Sequence, residues 1–382
     1  MKIARDSTLQ TLTIPRSRLW SARLDSLPSL SLSSPLEKNF SNCLKNLPDI
    51  CDFVRSRAVC KPWRFSSSVS DLPPQFPWIL GVSKGTDLQY YSIASNKLHT
   101  IRARGSSSRR FFTPAGAYML TSQIGNDDKF SLLNPLNNKE VHLPIGHDCD
   151  PCLFSINFSW SNPPIFQIDD YMYVSENEIS VRCKPSVDKW EIIRPGVHEC
   201  QYNCHYLKGL LFRVDGQTGV TKFLDFINHR ELYVIPPPEY EKMSKMCFGG
   251  PYLVESCGEI LTVSYNQSYE GTYYQFYIHR LEFGNGKGNP CWVKLSTIGD
   301  RMLFFENPLG YGHAFSLSAS DFAGLQGNCI YFINMIPTSS LGHTRVINVY
   351  DVENGETKFI DTPFNWKNHI SISWFMPTLN HI

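Results

Sequence analysis

A chain of 382 residues with 42% hydrophobic and 19% charged residues can bury a large core in one big domain or two, which excludes disorder as the default state. Its 36 basic and 35 acidic residues leave a formal charge of +1, so no overall field draws it to nucleic acid or to an anionic membrane. No run of about 18 apolar residues is present to span a bilayer, and the 13% aromatic share, with 18 Tyr and 24 Phe, leans towards strands.

From the N-terminus, residues 1–31 carry Arg5, Arg16, Arg18 and Arg23 among many serines, with Asp6 and Asp25 as the acids. This reads as a flexible tail. The same composition suits an organelle transit peptide, so a mitochondrial or plastid location stands as the alternative to cytoplasm and nucleus. The twelve cysteines are irregularly spaced and no apolar leader precedes them, which favours free thiols in a reducing compartment. The sequons at Asn157 and Asn266 then carry no glycan.

Residues 32–64 form a helical module. Leu32, Leu36, Phe40, Leu44 and Leu47 recur every three or four positions, so a helix places them on one face. Such a stripe is too short to bury itself and needs a partner. After Pro48, Asp49 or Asp52 caps a second helix carrying Phe53, Val54 and Ala58, and Pro62 limits its continuation. Val59, Cys60 and Trp63 close the module as an apolar cluster flanked by Arg55, Arg57, Lys61 and Arg64.

The run Asp52-Phe53-Val54-Arg55-Ser56-Arg57-Ala58-Val59-Cys60, followed by Lys61-Pro62-Trp63-Arg64, resembles an F-box, the short module that docks on Skp1 in cullin-RING ubiquitin ligases. The spacing of acid, basic pair, Val-Cys and Trp-Arg matches without a gap. At the N-terminal end Ser33 replaces the usual Pro after Leu32, and Pro35 stands where an acidic residue is usual. The resemblance implies a Skp1-like partner, and cullin through it, held by Leu32, Leu36, Phe40, Leu44, Val59, Cys60 and Trp63.

Residues 65–77 are rich in Ser and Pro and read as a linker. Beyond them, strand-like runs alternate with turn chemistry. Gln89–Ile93 meets Leu98–Ile101, Phe130–Pro135 meets Glu140–Pro144, and Val346–Asp351 meets Thr357–Ile360 across Glu353-Asn354-Gly355. A turn residue followed by an apolar strand recurs before Tyr118, Tyr171, Leu210, Glu259 and Cys329. Roughly 300 residues of such meander, with no convincing helix, predict a mainly β fold: a β-propeller of six or seven blades of about 40 to 50 residues over 78–382.

A second resemblance covers nearly all of that region. Pro77-Trp78-Ile79-Leu80, Leu132-Leu133-Asn134-Pro135, Trp292-Val293, the run GDRMLFF from Gly299, the run FSLSASDF from Phe315, Asn328-Cys329-Ile330-Tyr331-Phe332, Val349-Tyr350-Asp351 and Trp374-Phe375-Met376-Pro377 are similar, in order and in kind, to the KIB-type β-propeller of plant F-box proteins. This implies a target-recruiting propeller behind an F-box.

Residues that suggest chemistry are weaker. Cys149 and Cys152 have a zinc-knuckle gap, but the second cluster, His198, Cys200, Cys204 and His205, does not repeat it. Asp127-Asp128 and Asp169-Asp170 read as turn residues, because neighbouring strand positions face opposite ways. The glycine-rich run Phe283–Asn289 lacks the Ser or Thr after Lys287 and the following helix of a phosphate loop. No nucleophile elbow is present. The expectation is a non-enzymatic adaptor with no cofactor and no metal, a protein target and neither a nucleic-acid nor a membrane partner. Arg102, Arg104, Arg109 and Arg110 are the sharpest basic patch and the candidate target-binding site.

Overall fold

The structure is a computed structural model. It describes residues 43, 44, 47, 49–83, 88–101, 109–115, 118–123, 126–142, 165–168, 171–176, 179–183, 190–194, 202–207, 210–215, 218–225, 230–238, 247–268, 273–283, 289–306, 314–322, 324–337, 343–363 and 369–378.

Two helices lead. In α1 (Ile50–Val59) the N-cap is Asp49, whose side chain accepts the Cys51 N–H at 2.8 Å, one of the two caps expected. Helix α2 (Lys61–Phe65) follows after Cys60, whose extended backbone breaks the run. The sequence reading made Pro62 the end of a helix; instead it lies in the first turn of a new one, where its missing N–H has no intrahelical partner to lose.

Residues 65–77, read as a linker, carry local structure. Val69–Asp71 forms a 3-10 turn in which Ser68 and Asp71 cap each other, and Gln75 and Phe76 are buried. Phe76 packs edge-on against Phe304, Phe322 and Tyr331 at 5.5 to 5.6 Å. Ser and Pro remove regular hydrogen bonding from this stretch, but its aromatic residue still fastens it to the sheets.

Strands β1 (Trp78–Ser83), β2 (Leu88–Ser92) and β3 (Lys97–Ile101) form an antiparallel meander. The next sheet holds β4 (Arg109–Ala115), β5 (Tyr118–Gln123), β6 (Asn126–Asn134) and β7 (Lys139–His142). Then come β8 (Ile165–Ile168), β9 (Tyr171–Glu176), β10 (Ile179–Cys183) and β11 (Trp190–Arg194). They are followed by β12 (Tyr202–Leu207), β13 (Leu210–Asp215), β14 (Thr221–Asp225) and β15 (Arg230–Ile235). The next four are β16 (Cys247–Ser256), β17 (Glu259–Gln267), β18 (Tyr274–Glu282) and β19 (Cys291–Leu295). The last sheet contains β20 (Arg301–Phe305), β21 (Ala314–Ser318), β22 (Cys329–Pro337), β23 (His343–Asp351) and β24 (Thr357–Ile360). Finally β25 (His369–Phe375) returns to pair with β1, which ties the end of the chain to its beginning.

The predicted hairpins are present, with Asn96, Asn138 and Gly355 at positive φ in their turns. Six or seven four-stranded blades were expected, and one of the observed sheets departs from that pattern. Among the described residues, five sheets are four-stranded, while the sixth has five strands with β20 parallel to β22. The chain turns back after β21 through the 3-10 turn Ala319–Asp321 and re-enters at Gly327, where a Cβ would lie 2.7 Å from Asp300 Cα. Asn328 then locks the return, its Oδ1 accepting from the Ile298 N–H at 2.8 Å. Asp127 and Asp128, expected in a turn, lie within β6, and Asp169 and Asp170 lie outside the described residues.

The core lies between sheets. Phe304 stacks on Phe315 and Tyr331 and meets Trp374 edge-on. Trp374 also donates its indole N–H to Phe305 O at 2.9 Å, so the closing strand is held by shape and by hydrogen bonding. Asn266 is buried on β17 and donates to Tyr277 Oη at 3.2 Å, which leaves no room for a glycan there.

Candidate protein-interaction surface

Helix α1 has two faces with different surroundings. Ile50 is buried in the first sheet's core with Trp78, Leu80, Tyr90 and Phe375, and Phe53 is buried one turn on. The Ile50 N–H donates to Gln75 Oε1 at 2.8 Å, so the supposed linker satisfies a helix N-terminal donor. Arg57 lies over the Phe53 ring at 5.7 Å and donates to Ser67 Oγ at 3.0 Å, fixing the helix against the chain that follows α2.

Other apolar side chains of the segment are open to solvent. Val59 of α1 is 64% exposed, and Trp63 and Phe65 of α2 are 41% and 83% exposed, with Val54 of α1 also exposed. They follow one another along the sequence as an apolar ridge, with the exposed Arg55, Lys61 and Arg64 interspersed. Covering one such large apolar side chain is worth about 1.5–3 kcal/mol, which gives the ridge its capacity to hold another polypeptide.

The proposed anchors divide accordingly. Val59 and Trp63 are exposed and Cys60 is half-buried. Leu44 is 1% exposed, so it is covered by this chain and presents nothing to a partner; its apolar spacing read the same whichever surface covers it. Leu32, Leu36 and Phe40 lie outside the described residues. Sequence reasoning passed over Phe65, assigned to the linker, and gave Val54 no partner role.

Half of the arginine patch is described. Arg102 and Arg104 lie outside the described residues and Arg110 is on β4. Arg109 forms a two-pronged pair with Glu140 at 2.6 and 2.9 Å and also donates to Thr121 Oγ1 and Ser131 Oγ. One residue from each of β4, β5, β6 and β7 thus meets in a clasp across the sheet. Burial pushes the Glu140 carboxyl up, but hydrogen bonds from Arg109 and Ser131 outweigh it and hold the carboxyl below its ordinary value. Arg109 therefore belongs to the sheet and not to a free patch.

Of the cysteine and histidine residues weighed for zinc, Cys149, Cys152, His198 and Cys200 lie outside the described residues, and Cys204 and His205 fall on β12. A different cluster sits where α1 meets β3. Asp49 and His99 are buried, with Asp49 Oδ2 3.3 Å from His99 Nε2, and Cys51 Sγ is 3.8 Å from His99 Nδ1. Ser95 Oγ donates to Asp49 Oδ2 at 3.2 Å, and the His99 ring stacks on Trp78 at 5.1 Å. Burial would raise the Asp49 carboxyl, but His99 and the Cys51 N–H hold it at about 2. Burial and the Asp49 charge push the Cys51 thiol up to about 12.

Successive antiparallel sheets whose first and last strands pair define a mainly β protein of the β-propeller class, here with a helical segment carrying an exposed apolar ridge. The KIB1-4 beta-propeller family model matches residues 90–351, well over half of the chain, and the chain belongs to that family. No curated protein matches the sequence. Among solved structures, TolB from Acinetobacter baumannii overlaps with a TM-score of 0.43 at 10% identity, covering 79% of this chain and 67% of that one. KlHsv2 with loop 6CD replaced by a Gly-Ser linker gives 0.34 at 10% identity over 79% and 94%. A chain of a nidogen/laminin complex gives 0.35 at 10% identity over 78% and 98%. Overlaps this loose carry no conclusion about this chain.

Proposed function

We propose that this chain is the substrate-recognition adaptor of an SCF (Skp1-cullin-F-box) ubiquitin ligase, acting without chemistry of its own in the cytoplasm or nucleus. The helical segment is its F-box and holds a Skp1-like protein, with cullin attached through it. The propeller presents a protein target. The observation that carries this reading is that Val54, Val59, Trp63 and Phe65, four large apolar residues within twelve positions of the helical segment, are left exposed to solvent. Large aromatic residues dominate truncation energies at such interfaces. The basic rim adds an orienting charge for an acidic-rimmed partner.

The test is co-purification with Skp1. The Val59→Ala/Trp63→Ala double variant is expected to lose about 1–3 kcal/mol of binding per anchor, a loss of roughly tenfold or more. Binding unchanged in the double variant removes the adaptor assignment.

A second reading is favoured by the burial of Leu44, Ile50 and Phe53 against the chain itself: a vestigial F-box that caps the propeller of a non-ligase interaction protein, organellar in location. A fluorescent fusion of residues 1–40 entering mitochondria or plastids, with no Skp1 in the purified complex, selects this second reading.

A further inference from the structure

We propose that Cys51 and His99, oriented by Asp49, form a site for a thiophilic divalent transition metal of the zinc class at the seam between α1 and the first sheet. The three residues come from a helix cap and from a strand 48 residues away, and their donor atoms lie within 4.8 Å of one another. The 3.8 Å between Cys51 Sγ and His99 Nδ1 is close to the separation of about 3.5 Å that two ligands subtend at a tetrahedral ion with metal–sulfur near 2.3 Å and metal–nitrogen near 2.0 Å. Trp78, stacked on the imidazole, sets the plane of the ring.

Asp49 supplies the orientation. Its Oδ2 lies 3.3 Å from His99 Nε2, out of line for a hydrogen bond, but near enough that its charge favours the tautomer with the proton on Nε2 and the lone pair on Nδ1, the nitrogen 3.8 Å from the thiol. This is the carboxylate–histidine–metal arrangement that fixes a tautomer and strengthens the ligand. Cys51 is half-buried while Asp49 and His99 are buried, so the protein would supply two ligands and the remaining coordination positions would fall to water entering past Cys51. A sulfur and nitrogen donor set suits zinc or cobalt and is a poor match for calcium or magnesium, which take oxygen ligands. On binding, the Cys51 thiol gives its proton to water and its sulfur forms the metal bond, so uptake weakens as pH falls. A bound ion would staple the helical segment to the first sheet directly behind the exposed ridge.

The experiment uses the full chain, purified under reducing conditions and titrated with cobalt(II). The expected result is a thiolate-to-cobalt charge-transfer band that zinc displaces and that Cys51→Ser abolishes. A band that persists undiminished in Cys51→Ser, or no band in the wild-type chain, overturns the proposal and leaves the three residues as a hydrogen-bonded latch. A second readout needs no variant: with zinc at ten times its dissociation constant, alkylation of Cys51 followed by mass spectrometry should slow about tenfold. An unchanged alkylation rate also overturns the proposal.

Discussion

In the sheets, Phe304 is wholly buried, stacked between Phe315 and Tyr331 and closed off by Trp374. In the helical segment, Trp63 and Phe65 carry equally large apolar surfaces that stay in water. Both regions contain the residue types that fold a chain, and the helical segment has used only some of its own for folding. The boundary between the two does not fall at the linker. It runs lengthwise through α1, whose Ile50 and Phe53 belong to the core while Val54 and Val59 belong to the surface.

Mutations can break or sharpen this contrast. Phe304→Ala should cost about 3–5 kcal/mol in urea unfolding, because the cavity it leaves cannot close among stacked rings. Phe65→Ala should stay within about 0.5 kcal/mol. Equal costs would show that the exposed ridge is in fact part of the fold.

The next effect tests the clasp on β4–β7. Arg109→Ala removes both prongs of the pair and leaves Glu140 with Ser131 Oγ as a donor in a half-buried place, and should cost about 1–3 kcal/mol. Arg109→Met/Glu140→Leu, which removes both charges, should cost less than the single change. The opposite order would mean that Arg109 was exposed and free.

Acid should act on the sheets and not on the ridge. Burial, with Lys294 opposite on β19, lowers the His279 pKa from 6.5 to about 4, while Thr262 faces it from β17. The unfolded chain takes up a proton near pH 6.5 and the folded chain resists until about 4, so stability falls as pH drops through that window. His279→Gln should flatten the slope between these values in unfolding measured against pH. The smallest stability change is expected for Val59→Ala/Trp63→Ala, within about 0.5 kcal/mol per site, even as binding is lost.

Much of the β architecture was legible because strand signals are local. Alternating apolar residues with Asn96, Asn138 and Gly355 at the turns marked hairpins that the structure contains. The helix cap at Asp49 was legible for the same reason. The parallel pairing of β20 and β22 was not, because it depends on how closely Gly327 approaches Asp300 across the turn. The pairing of Arg109 with Glu140 was not legible either, because the two lie 31 residues apart. The cluster of Asp49, Cys51 and His99 was missed on the same ground.

By itself, then, the sequence determined what depends on near neighbours: strand and turn periods, the broken helix at the front and the family motifs. Tertiary structure alone decided which apolar residues remain in water. Leu44 and Val59 are both apolar residues of the same module, and nothing in their local spacing separates them. Burial is a property of what lies across from a side chain, and for Ile50 of this segment that was settled by strands β1 to β3 and β25, outside its own stretch of sequence.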